Sequence, residues 1–127
     1  MSHVIVWADI PVIDMQRAMK FYSDVTQQPV TPIPGSQEVA VIGAPGTGEG
    51  MRVSADLYVG GTPSHTGATV YLGSNGDIDG VLARVEAAGG KILQAKQDMG
   101  EMVGWIAFVE DTEGNRIGIQ EPYESHA

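Results

Sequence analysis

Cysteine is absent from the 127 residues, which excludes disulfides, a thiolate nucleophile and any cysteine-ligated metal. Basic residues are scarce: seven Lys and Arg stand against sixteen Asp and Glu, for a formal net charge of −9. That balance repels phosphate backbones, so no nucleic acid partner is expected. Long apolar runs are missing as well. Nothing approaches the roughly 20 residues that span a bilayer, and the first residues lack the basic start and apolar stretch of a secretory signal. No membrane association is expected, and the cytoplasm is the expected location. Histidines number three; His3 and His126 lie near the ends and His65 sits among Thr, Pro, Ser and Gly, where solvation is expected rather than metal ligation.

What is present is a repeat. Met15, Ala18, Met19 and Tyr22 fall at i, i+3, i+4 and i+7 behind Asp14, and Ile78, Val81, Leu82 and Val85 do the same behind Asp77. Each series predicts an amphipathic helix with an N-capping aspartate. Gly50-Met51-Arg52-Val53-Ser54 is echoed by Gly114-Asn115-Arg116-Ile117-Gly118 at nearly the same offset. Two echoes in one order predict two copies of a supersecondary unit. A hydrophobic share of 43% over this length suits one compact domain.

Alternation predicts strands over His3–Ile10, Glu38–Ile42, Met51–Val59, Ala68–Leu72, Lys91–Ala95, Trp105–Val109 and Arg116–Glu121. Pro11 and Val12 are expected to lead out of the first strand. Val30–Pro34 is too rich in proline for a central strand. The helices are expected over Asp14 to about Val25 and over Asp77–Ala88, the second stopped by Gly89-Gly90. Each half then reads βαβββ, an α+β architecture with module one at about 1–59, a Gly60–Gly67 linker, and module two at about 68–122. Gly43–Gly50 reads as a flexible loop, having no Lys and no following helix to make a phosphate cradle. Glu110-Asp111-Thr112-Glu113 lacks the spacing of a calcium loop and reads as a solvated turn.

The doubled βαβββ order, Asp-Met-Gln-Arg-Ala-Met-Lys-Phe-Tyr at Asp14–Tyr22, Ala-Ala-Gly-Gly-Lys-Ile-Leu at Ala87–Leu93 and Phe-Val-Glu-Asp-Thr-Glu-Gly-Asn-Arg-Ile-Gly at Phe108–Gly118 resemble the vicinal oxygen chelate superfamily. Glyoxalase I, extradiol dioxygenases, bleomycin-resistance proteins and fosfomycin-resistance enzymes belong to it. The resemblance implies two modules whose curled sheets form a cleft, and a homodimer. In metal-dependent members a His or carboxylate stands on the first and last strand of each module, places that here hold Trp7, Ser54, Thr69 and Gly118. Indole, glycine and two neutral hydroxyls cannot neutralise a divalent ion. No metal and no cofactor is therefore expected.

If those four positions face the cleft, strand parity adds Ile5, Asp9, Arg52, Asp56, Tyr58, Tyr71, Arg116 and Gln120, and turns Val4, Val6, Ile10, Val53, Ala55, Leu57, Val70, Leu72, Ile117 and Ile119 toward the helices. The expected ligand-binding set is Trp7, Asp9, Arg52, Ser54, Tyr58, Thr69, Tyr71, Arg116 and Gln120, an aromatic-walled cleft for a small, partly polar molecule. Asp9 is open to two readings, as an acid or base, or as a partner of Arg52 or Arg116; pairing is the expectation. Met99, Met102 and Trp105 flank a glycine hairpin and fit a lid, a dimer contact or plain core packing. Function thus reads as metal-free small-molecule binding. The alternatives are a glyoxalase-like lyase, isomerase or dioxygenase with unrecognised ligands, or a metal-independent catalyst using Asp9 or Asp56.

Overall fold

The computed structural model describes residues 4–44 and 53–123. In chain order the elements are β1 (Trp7–Val12), α1 (Met15–Thr26), β2 (Val30–Pro32), β3 (Val39–Ile42), β4 (Ser54–Val59), β5 (Val70–Gly73), α2 (Ile78–Ala87), β6 (Lys91–Asp98), β7 (Trp105–Glu110) and β8 (Arg116–Glu121). They build two four-stranded sheets with the same plan, β1-β4-β3-β2 and β5-β8-β7-β6, and in each the first strand runs parallel to the last. The architecture is the expected α+β pair of βαβββ units.

Both helices begin where the capping residues place them. Asp14 accepts the Arg17 amide at 3.1 Å and Asp77 the Gly80 amide at 3.0 Å, each relieving a donor the first helical turn leaves unpaired. The first helix ends at Gln27 in the left-handed region, φ 57°. The second stops before Gly89, φ 98°, and Gly90 must stay bare: a Cβ there would meet the Glu110 carbonyl oxygen at 2.6 Å. α1 buries Ala18, Phe21, Tyr22 and Val25, and α2 buries Ile78, Val81 and Val85. These helix faces pack on Ile10, Val12, Leu57, Val109, Ile117 and Ile119 of the sheets as one core. Among the described residues no helix is long and apolar enough to cross a membrane.

Several strand ends depart from the sequence expectation. β1 starts at Trp7 rather than His3, and Val4 (96% exposed), Val6 and Val53 are outside the core that parity assigned them. They lie beyond the paired register, so no helix covers them. Pro11 and Val12 do belong to β1, paired with Tyr58 and Val59 of β4. As β1 is an edge strand, Pro11 can lose its N–H without breaking a ladder on both sides. The proline-rich segment forms the opposite edge, β2. β6 runs on to Asp98, with register shifts between Ile92 and Gln94 and between Gln94 and Gln97.

The acidic turn after β7 is the largest correction. Asp111 and Glu113 are buried, not solvated. Asp111 Oδ1 accepts the amides of Glu113, Gly114 and Asn115, and Tyr22 Oη donates to its Oδ2 at 2.5 Å. Glu113 accepts the Ile13 and Asp14 amides at 2.8 Å each, and Arg17 Nε donates to its other oxygen at 2.8 Å. A turn of the second unit thus holds the start of the first unit's helix. Charged residues are affordable here because every carboxylate oxygen has donors.

Candidate functional site

Parity sends the non-helical face of the first sheet to rows set by the parallel β1–β4 register: Trp7 beside Ser54, Asp9 beside Asp56, and Pro11 beside Tyr58. Trp7 Nε1 donates to Asp56 Oδ2 at 2.8 Å. Asp56 is 9% exposed, and its Oδ1 has no hydrogen-bond partner among the described residues. Burial pushes its carboxyl up from the ordinary range; the Trp7 bond opposes this and the adjoining Asp9 adds to it.

The expected pairing of Asp9 with Arg116 does not occur. The Arg116 guanidinium lies 3.8 Å from the Phe108 ring centre and Nη1 donates to Thr69 Oγ1 at 2.8 Å. Asp9 faces the Asp56 carboxyl across the register instead, because parallel pairing places the two strands' equivalent residues side by side. Arg52, the other candidate partner, lies outside the described residues.

On the second sheet the equivalent face is hollow. A cavity of about 590 Å³ is lined by Tyr71, Gln94, Gln97, Met99, Val103, Ile106, Phe108 and Gln120. Tyr71 and Phe108 meet edge to face with ring centres 5.9 Å apart. Gly118, beneath Tyr71, has no room for a side chain, since a Cβ would run into the Tyr71 ring. Gln120 Nε2 donates to the Val103 carbonyl at 2.9 Å and Gln94 Nε2 to Gln97 Oε1 at 3.1 Å, which leaves the Gln120 Oε1 and the Gln97 amide nitrogen to serve a guest. Among the described residues no lining side chain is an Asp, Glu, Lys or Arg.

The nine expected ligand residues therefore divide. Tyr71 and Gln120 line the hollow, Arg116 braces it through Phe108, and Thr69 holds Arg116. Trp7, Asp9, Ser54 and Tyr58 stand together on the first sheet, away from the hollow's lining. A small crevice of about 180 Å³ between the units has Asp9 and Arg116 in its walls. Gln94, Gln97, Met99, Val103, Ile106 and Phe108 were missed. Their signal was partial: Met99 was a lid candidate, but the two register shifts in β6 defeat alternation, and no face was assigned along Trp105–Val109. Trp105 packs on the core and Met102 is exposed.

The four positions that the family resemblance assigned to metal ligands are committed elsewhere. The Trp7 indole N–H is a donor, bonded to Asp56; Ser54 Oγ donates to the Ile42 carbonyl at 2.6 Å; Thr69 Oγ1 accepts from Arg116; Gly118 offers no donor atom. This set does not fit a divalent ion. Among the described residues no three His, Asp or Glu side chains gather as a ligand group. His65 Nε2 instead lies 2.6 Å from Glu110 Oε2 at the surface.

Residues 3–119 match the family described as Glyoxalase/Bleomycin resistance protein/Dioxygenase superfamily. No curated protein sequence matches the chain. Solved structures share the fold. A glyoxalase/bleomycin resistance protein from Albidiferax ferrireducens T118 superposes with a TM-score of 0.69 at 18% identity, over 93% of this chain and 98% of that one. The fosfomycin resistance protein FosX from Listeria monocytogenes, solved with Mn(II) and sulfate, gives 0.66 at 12% identity, over 98% and 94%. Glyoxalase I from Zea mays gives 0.65 at 22% identity, over 91% of this chain and 44% of that one.

Proposed function

The chain belongs to the glyoxalase/bleomycin resistance protein/dioxygenase superfamily, and on that premise we propose that it binds a small molecule, without a resident metal, in the hollow of its second sheet. One observation carries this reading: a cavity of about 590 Å³ walled by two aromatic rings, Met99, Val103 and Ile106, with Gln94, Gln97 and Gln120 among its lining. The volume falls in the range of roughly 300–1,000 Å³ usual for small-molecule sites. Uncharged walls favour a neutral guest with a ring-bearing apolar body. The free Gln120 oxygen and Gln97 amide would fix its orientation through neutral hydrogen bonds. Of the nine residues read from the sequence, Tyr71 and Gln120 are assigned to contact the guest, Arg116 and Thr69 to position Phe108 beneath it. A homodimer belongs to this reading, with a second copy covering the exposed side of Tyr71; sedimentation equilibrium tests it.

The test is a thermal-shift screen of neutral ring compounds with a chelator present, repeated on Met99→Lys. Met99 is 54% exposed, so the substitution leaves the fold in place while setting an ammonium at the mouth of an uncharged hollow. Compounds should raise the melting temperature of the parent and not of the variant. Hits that need added Mn(II), or that act equally on Met99→Lys, refute the proposal.

A second reading is a lyase, isomerase or dioxygenase whose metal ligands are other residues. It is favoured by the fold's likeness to FosX, which was solved with Mn(II). Stoichiometric metal in untagged protein, with a saturable melting shift from the same ion, would replace the first reading by this one.

A further inference from the structure

We propose that Asp9 and Asp56 form a subsite for a protonated primary amine on the first sheet, separate from the hollow on the second. The two carboxyls are register neighbours on adjacent parallel strands and point to the same face. Asp56 is nine-tenths buried, yet its Oδ1 has no donor among the described residues, while Trp7 holds Oδ2 in place. Native interiors rarely leave a buried acceptor unpaired, and such an atom is ordinarily served by a water, an ion or a ligand donor. None of the ion pairs among the described residues involves either aspartate: Arg17 serves Glu113, Lys20 serves Asp24, Lys96 serves Asp79 and His65 serves Glu110. Among the described residues, then, no cationic donor serves this place.

The chemistry around the pair selects an organic ammonium over a metal. An ammonium brings three N–H donors, enough to serve the orphaned Oδ1 and the Asp9 oxygens together, and its charge removes the repulsion between the two carboxylates. Trp7 precedes the pair in the register and its indole touches the Asp56 carboxyl, so an aromatic surface adjoins the place where the amine would sit. A calcium or magnesium ion needs six or more oxygens, and here two carboxyls, one already bound by an indole, supply fewer. The net charge of −9 raises the local concentration of any cation. The subsite does not depend on whether the hollow on the second sheet takes a guest.

The Trp7 indole N–H reports on this place directly, because it donates to the carboxyl in question. In ¹H–¹⁵N spectra its cross-peak is identified by Trp7→Phe. Titration at constant ionic strength with n-butylammonium should move it saturably, and 1-butanol should not. Asp56→Asn should weaken the apparent affinity about tenfold, removing a buried charge, and Asp9→Asn about threefold, removing an exposed one. Asp9 is exposed, so that variant folds whatever Asp56→Asn does. The proposal is overturned if n-butylammonium gives no saturable shift, if 1-butanol acts equally, if Asp9→Asn leaves the affinity unchanged, or if only magnesium chloride moves the peak.

Discussion

Replacing Glu113 by Gln should cost about 3 kcal/mol at pH 7 and progressively less in acid. The side chain is fully buried and accepts the Ile13 and Asp14 amides, both Arg17 nitrogens that face it, and the Thr112 hydroxyl. Desolvation works against its charge, but the Arg17 and backbone donors win and pull the carboxyl from 4.5 to about 2. That difference is roughly 2.5 units, and at 1.36 kcal/mol per unit it amounts to about 3 kcal/mol of stability held by the ionised form. The folded-state value is depressed, so the contribution is fully present above 4.5 and is lost as pH falls toward about 2. By pH 3 it should be roughly half its neutral value. Urea melts of parent and Glu113→Gln at pH 7, 5, 4 and 3 measure this. The other carboxylates titrate alike in both proteins, so the difference between them isolates Glu113. A penalty below about 0.5 kcal/mol at pH 7, or one that does not shrink toward pH 3, would refute the account of this joint.

Three further outcomes follow from the same contacts. Tyr22→Phe removes the buried donor to Asp111 Oδ2 but leaves the Asn115 amide on that oxygen, so the loss should be about 1–2 kcal/mol in urea melts. Gly90→Ala drives a methyl against the Glu110 carbonyl, Phe21 and Val85, and should lower the melting temperature by more than Gly89→Ala does on positive-φ strain alone. Asp56→Asn should stabilise the protein at pH 7. Burial, opposed by Trp7 and aided by Asp9, raises that carboxyl, so the folded state favours its protonated form; the parent loses stability as pH rises past 3.8 and the gain from Asn should vanish below that value, a difference read from paired melts at pH 7 and 3.5.

Much of the fold was legible because it rests on local rules. Asp14 and Asp77 cap the helices, the i, i+3, i+4 series name the faces they bury, and Gly89-Gly90 stops the second. Strand alternation sorted Ile10, Ala55, Leu57, Ile117 and Ile119 toward the helices and Trp7, Asp9, Asp56 and Tyr58 to the other face. The site was legible only in pieces. Register shifts in β6 break the two-residue period, so Gln94 and Gln97 could not be assigned a face from sequence.

The sequence by itself determined the repeat, the helices, the parity of the strands and the poverty of metal ligands, because each depends on neighbours within a few residues or on composition alone. Tertiary structure decided which charges meet. Glu113 lies 96 positions from Arg17 and reads locally as part of a solvated acidic run, yet it ends buried on the amides that open α1. Asp9 and Asp56 become neighbours only when β1 and β4 pair in parallel, and a shift of one residue would have turned either to the opposite face. Burial and electrostatics depend on the whole set of atoms around a group, and that set is assembled from segments far apart in the chain.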